Sequence, residues 1–479
     1  MVGQAAADGM AEDPCGVPRA RIALAAALLL AGCAVAPRVP QPEMNLPARY
    51  AQAPRQTLGP APDLAHWWRG FHDPQLDALV QRALAQNLGL QAAGERLAAA
   101  RALLGTPQAR HLPQETLYTN QEPTPGSTAS YFQIGFDAVW QLGLFGRGTS
   151  EQRLVDAGAG LAAADLAAAR VALVAEVVRS YLDLRAAQQR MVLTTDMLRQ
   201  QQRRERLTAV RVRQHLDTSA ALAAAQAAVA AARAGAASAR ADAAIARQQI
   251  AVLLSASTPP PALQATAPVP LPPLPPAALP PANLLRTRPD IQRAEAAILH
   301  AAGALGIARA DLYPRLGIGW TATASARTAG GKIGRLRTIP SLGPVIDMPI
   351  FDWGLREAQV HADGHRLKAA VLDYRQTVLV AVGEVEQAWA RLRAARAQAA
   401  ATRAQMRAAV RTAAAAAARA RLGLGDGLQA AAAADAALRA RVAADDARAA
   451  EGVAYVALYK ALGGAAPGQP GPAAAGAAR

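Results

Sequence analysis

The sequence predicts a mainly α-helical chain that also carries strands of a membrane β-barrel, built as a tandem internal repeat. Three observations carry that expectation. Two alanine-rich stretches, residues 146–257 and 355–464, contain no proline and are each broken once by a turn signal. Shorter segments with a period of two precede both stretches, as β-strands require. Finally, the second half repeats the order and part of the wording of the first.

At 479 residues the chain has room for two or three ordinary domains, yet aromatic residues make up only 4% of it. Its apolar share of 52% is mostly alanine, which suits helices packed closely over small side chains rather than one round core. The net charge of +16 comes from arginines spread along every helix with no long basic run, so no nucleic-acid partner is expected. The two cysteines, Cys15 and Cys33, both precede residue 34, which excludes disulfide and thiol chemistry from the body.

Residues 1–32 read as a signal peptide. Arg19 and Arg21 flank an apolar run too short to span a bilayer, and Leu30, Ala31 and Gly32 lead to Cys33. Such a cut before a cysteine resembles the bacterial lipoprotein box, which implies that Cys33 becomes an acylated N-terminus. Several acyl chains on one cysteine make a firm anchor. Residues 33–62 are proline-rich and read as an extended arm. The first repeat then spans 63–257. Asp73 and Pro74 cap a helix that continues to about Leu104, with Leu76, Leu79, Val80, Ala83 and Leu84 on one face. A strand at about 114–121 precedes a turn containing Pro123, Pro125 and Gly126. In the return strand Phe132, Ile134, Phe136, Ala138 and Trp140 share one face, and Gln133, Gly135 and Asp137 the other. The first long helix should end near Arg213, with Asp217 or Thr218 capping its return partner.

Residues 258–283 are loaded with proline and form a connector. The second repeat, 284–464, opens on Pro289 and Asp290. It places Leu316, Ile318, Trp320, Ala322 and Ala324 on one strand face, and Leu342, Ile346, Met348 and Ile350 on that of the return strand. Its long helix, 355–421, would be roughly 100 Å long at ~1.5 Å per residue. The turn holds Gly423, Gly425 and Gly427, and residues 465–479 read as a disordered tail. Glu176, Val177, Tyr181, Leu184 and Arg185 line up with Glu384, Val385, Trp389, Leu392 and Arg393. Pro113 further matches Pro314, Phe145 matches Phe351, and Arg211 matches Arg421.

Four strands with one apolar face leave two open edges, which neither lipid nor water tolerates well. Three copies would close a twelve-stranded barrel, continuous with a long α-helical periplasmic barrel made from the hairpins. Trp140 and Trp320 would anchor its rim.

Four motifs also resemble a known family. They are Trp67, Trp68, Phe71, Asp73 and Pro74; Leu285, Arg288, Pro289, Asp290, Ala294 and Glu295; Pro349, Phe351 and Gly354; and the run from Leu458 to Gly464. Together they look like the outer-membrane efflux lipoproteins of the NodT type, in the TolC/OprM superfamily. The resemblance implies a homotrimeric exit duct in the outer-membrane lipid. It also implies a periplasmic membrane-fusion adaptor and, through it, an inner-membrane pump of the RND type as partners. Adaptor docking is then expected at the hairpin tips, on Arg211, His215, Arg421, Gly425 and Asp426. Arg211 and Arg421, one turn before the tips, are either plain surface charges or contacts to acidic or carbonyl groups of another tip or of the adaptor. His215 stands where relatives have the turn glycine that Gly425 keeps. Aspartates that ring the aperture in some relatives fall near Ala431 and Ala434, with Asp426 and Asp435 close by. A lipid-anchored coiled-coil protein without a pore is the alternative.

Other motifs carry less. His361 and His365 share a helix face, but no third ligand accompanies them. Gly423, Gly425 and Gly427 follow a helix rather than a strand, so they make a turn and not a phosphate loop. No nucleophile–base pair and no cofactor loop is present, and neither catalysis nor a cofactor is expected.

Overall fold

A computed structural model describes residues 37–40, 42–54, 63–122, 130–272, 274, 279–329 and 332–464. Cys33, the turn around Pro123 and Gly126, Gly330 and Gly331, and the C-terminal tail lie outside these. Contacts divide the chain into two units.

The first unit takes Ala102–Gly158 and Ala297–Val371, with the N-terminal residues to Pro40. It holds the sheet: β1 (Gln114–Glu122), β2 (Ser130–Gln141), β3 (Arg315–Ala329), the two-residue β4 (Lys332–Ile333) and β5 (Arg337–Asp347). All pairs are antiparallel. The order is β1–β2–β3–β5, with β4 beside the far end of β3. The hairpin of each half therefore meets that of the other at β2–β3, where Trp140 lies opposite Ile318 and Ala138 opposite Trp320. β5 ends at Asp347, so Met348 and Ile350, expected on the return strand, lie beyond it.

The second unit takes Gln41–Arg101, Ala159–Ala296 and Leu372–Arg479. The expected single helix to Leu104 is broken: α1 (Pro74–Gln86) and α2 (Leu88–Ala102) meet at Asn87, whose backbone is extended. The Asn87 side chain donates to the Leu253 carbonyl and accepts from the Leu90 amide, so the break doubles as a cap. A short α3 (Thr106–Arg110), which belongs to the first unit, follows Gly105. Asp73 caps α1 as expected, accepting from the amides of Gln75 and Leu76.

The long helices are α4 (Arg147–Arg213) and α8 (Leu355–Arg421), with return helices α5 (Ser219–Leu253) and α9 (Gly427–Ala461). Between them run a four-residue α6 (Leu284–Thr287) and α7 (Pro289–Ala310). In α4, residues around Val174, Val178, Tyr181 and Leu184 are buried on nearly every side, whereas the remainder shows one covered face. The second unit's core gathers there. Trp67 stacks on Tyr459 with ring centroids 5.2 Å apart, and Phe71 meets Tyr455 edge-on at 5.5 Å. Tryptophans read from sequence only as a motif are thus core anchors.

The repeat is more regular than sequence matching shows. α4 and α8 both have 67 residues, α5 and α9 both 35, and every boundary is displaced by 208 positions (355 − 147). Left-handed residues obey the same shift: Phe145 with Trp353, Gly146 with Gly354, His215 with Gly423, Ser255 with Gly463. Three correspondences expected from the sequence shift accordingly. Phe145 corresponds to Trp353 and not Phe351, Arg211 to Arg419 and not Arg421, and His215 to Gly423 and not Gly425.

Candidate channel wall and hairpin tips

The sheet sorts its side chains as the period-two reading expects. On one face Phe132, Ile134, Phe136, Ala138 and Trp140 lie in register with Ala326, Ala324, Ala322, Trp320 and Ile318. Leu117 on β1 and Leu342 and Ile346 on β5 extend that face. Much of it is bare: Phe136, Trp140, Trp320 and Leu342 are all exposed. A contiguous apolar surface of this kind requires lipid or protein against it. Trp140 donates its indole N–H to the His111 carbonyl at 2.7 Å, satisfying its one polar atom while the ring stays on the surface.

The opposite face carries Gln133, Gly135 and Asp137 against Thr321, Thr323 and Ser325. Here Tyr118 and Thr323 share a hydroxyl hydrogen bond of 2.7 Å across Gly135. A Cβ at Gly135 would come within 3.0 Å of the Tyr118 ring, so glycine is what lets the phenol lie flat across the strand. The sequence reading missed this clasp. Its signal was a glycine on a polar strand face with an aromatic in the facing strand.

Both hairpin tips lie in the second unit and close identically. The Leu216 amide donates to the Arg211 carbonyl at 2.8 Å, and the Leu424 amide to the Arg419 carbonyl at 2.9 Å. His215 and Gly423 are the left-handed residues that end α4 and α8 in this glycine-type stop. Thr218 caps α5 through the Ala221 amide, and Asp426 caps α9 through the Leu428 amide. Gly425 has no left-handed backbone; the role expected of it belongs to Gly423. A Cβ at Gly427 would sit 3.8 Å from Leu207 Cδ1, so the start of α9 runs against the last turns of α4.

The tip residues differ in exposure and pairing. Arg211 is held by Asp217 at 3.4 Å within its own tip, while Arg421 is exposed and contacts the Ala417 carbonyl at 3.3 Å. The equivalent leucines Leu216 and Leu424, absent from the sequence-based set, are bare at 67% and 68% exposure. Asp435 is buried near the tip of α9, pairs with Arg439 at 2.5 Å, and leaves its Oδ1 unpartnered. His361 faces Glu357 at 3.8 Å, and Asp363 is held by Arg366 and Gln359. No metal-holding group of these types occurs among the described residues.

A family model described as outer membrane efflux protein matches residues 79–256 and 281–464. The Nodulation protein T of Rhizobium leguminosarum bv. viciae is 30% identical over 374 residues, covering 76% of this chain and 77% of that protein. Among solved structures, the outer-membrane channel OprN aligns with a TM-score of 0.72 at 29% identity over 89% of this chain and 99% of that one. The open state of the Neisseria gonorrhoeae MtrE outer-membrane channel aligns at 0.75 with 26% identity, over 90% and 98%. The one-faced sheet, the paired 67-residue helices and these matches agree, and the chain belongs to the outer membrane efflux protein family, whose channels lie in the outer membrane and extend into the periplasm.

Proposed function

We propose that this chain is the passive exit duct of a tripartite efflux system, working as a homotrimer with a periplasmic adaptor and, through it, an inner-membrane pump. The observation that supports this most is the four-stranded antiparallel sheet, apolar on one face and polar on the other, with strands at both edges that have one neighbour each among the described residues. Each hairpin runs within a few residues into a helix of 67 residues, roughly 100 Å long. Three such sheets give twelve strands, an even number in the outer-membrane range. The face with Phe136, Trp140 and Trp320 then meets lipid, the aromatics sit as interfacial anchors, and the Gln133, Gly135 and Thr323 face lines water. A duct of this kind performs no chemistry. Solutes cross down their gradient, and selectivity rests with the pump.

The adaptor surface in this reading is the pair of tips. Leu216 and Leu424 offer equivalent apolar contacts, and Arg421 an exposed guanidinium able to pair with carbonyl or acidic groups. Cys33 would anchor the chain by acylation, and its replacement by alanine should abolish palmitate labelling. The direct test of the pore is conductance: protein extracted from outer membranes should give stepwise current in a planar bilayer. Trimers that insert and carry no current would overturn the duct reading. For docking, Leu424→Asp or Arg421→Glu should raise the drug sensitivity of cells at unchanged expression, and unaltered resistance would remove the tips as the contact.

A further inference from the structure

The polar face of the sheet carries its charges unevenly. At the end where the hairpins turn, Arg327 on β3 stands opposite Tyr131, and Arg337 on β5 stands opposite Ser325. Ser325 is two residues along β3 from Arg327, so the two arginines are diagonal neighbours on one face, roughly 7–8 Å apart. The chain leaving β4 is pinned to the same spot. The Gly334 amide donates to the Arg327 carbonyl at 2.8 Å, and a Cβ at Gly334 would lie 2.9 Å from that oxygen, so glycine is what lets the two backbones approach this closely. Arg335 follows directly. All three arginines are exposed, and none forms an ion pair among the described residues.

The acidic groups of that face lie too far away to neutralise them. Glu122 on β1 is at the same level as Arg327, but β2 runs between, which sets the two positions two strand spacings apart, roughly 10 Å. Away from the turns, the face is neutral through Gln133, Gly135 and Thr323 as far as Asp137, which stands opposite Thr116 and Thr321. At the far end the charges balance: Arg315 lies opposite Asp347 and pairs with Asp311 at 2.7 Å. Like charges on neighbouring strands repel and destabilise the pairing. An anion among the three arginines relieves that repulsion, and the guanidinium, always charged and weakly hydrated, suits the task.

We infer that Arg327, Arg335 and Arg337 form an anion-attracting collar at the outward mouth of the duct, so that anionic solutes leave through it more readily than cationic ones. The inference rests on the duct reading above, in which the long helices point into the periplasm, the hairpin turns point outward and the polar face lines water. Each copy in the ring adds three guanidinium groups to the rim. Rings of arginine favour anions in a pore through the field they set up, without a tight binding site. In a wide mouth that field reaches as far as the Debye length, about 30 Å at 0.01 M salt and about 3 Å at 1 M. The preference therefore belongs to dilute media and fades in concentrated salt, whereas selection by a narrow constriction persists. Asp137, deeper on the same face, opposes the collar.

Zero-current potentials across a planar bilayer test this on the full-length protein, with potassium chloride as the probe. In a salt gradient centred at about 0.01 M, chloride should pass at least about threefold more readily than potassium, and the ratio should approach one at about 1 M. Arg327→Gln together with Arg337→Gln should lower the dilute-salt ratio at least about twofold, and Asp137→Asn should raise it. The opposite signs separate a field effect from damage to the barrel, because damage does not raise the anion preference. A wild-type channel that prefers potassium in dilute salt, or a double variant with the wild-type ratio, overturns the collar and leaves the duct standing. Wild-type protein that inserts and carries no current overturns the duct reading itself.

Discussion

Arg185 is charged and only 2% exposed, and its hydrogen-bond partners among the described residues are neutral. Its guanidinium donates to the Gln188 side chain at 2.7 Å, the Ala265 carbonyl at 2.8 Å, the Gln75 side chain and the Tyr181 hydroxyl at 3.0 Å, and Tyr181 in turn donates to Asp73 at 2.7 Å. One side chain thereby ties α4 to the connector and to the cap of α1. Arg185→Met should cost roughly 3–5 kcal/mol, because it strands several buried acceptors at once. A thermal melt at unchanged membrane targeting would show the loss, and a drop below about 1 kcal/mol would mean that water replaces the guanidinium. Glu451 offers a test of pH. Burial raises its carboxyl above the ordinary glutamate value, against the pull of Arg396, Arg403 and Arg448. The fold thus favours the protonated acid. Its stabilising contribution is full below the unfolded value and is lost as pH rises through the raised one. Glu451→Gln should therefore melt higher than wild type at neutral pH, with the gap closing in acid; a variant less stable at pH 7 would contradict the burial argument.

The hairpin tips show what single elements owe to local chemistry. His215 occupies a left-handed position that Gly423 fills without strain in the second tip. His215→Gly should stabilise the first hairpin by about 1 kcal/mol, and Gly423→Ala should weaken the second by a similar amount. The caps behave alike: Thr218→Ala and Asp426→Ala should each cost about 1 kcal/mol, read as faster amide exchange in the first turn of α5 or α9. Unchanged exchange would show that tertiary contacts and not the caps hold those turns. Helix lengths, caps and strand faces were legible in the sequence because period, proline and capping residues act locally. The break at Asn87 was not. It depends on partners more than 160 positions away, Leu253 and Ser255, which hold the chain there. The role of Gly423 was misread as that of Gly425 because a run of alternate glycines does not show which one turns left-handed. The backbone does, and the shift of 208 then identifies His215 as its equivalent.

At the scale of the whole molecule, the sequence named the duplication but placed it two residues out at Phe145 and Arg211. Side-chain identity drifts between repeats faster than backbone geometry, and Trp353 against Phe145 is one such drift. What no single strand reveals is which edges stay open. That follows from the order β1–β2–β3–β5, which leaves β1 and β5 at the ends of a sheet with an exposed apolar face. A sheet of this kind is incomplete in lipid, where every backbone polar group needs a partner. The number of copies that the membrane holds therefore decides whether the sheet is completed in this way. Native mass spectrometry of protein extracted gently from outer membranes measures this directly. A single species of three chains, each beginning at an acylated Cys33, is expected, and a monomer, or a chain recovered without the membrane, would contradict the trimeric duct.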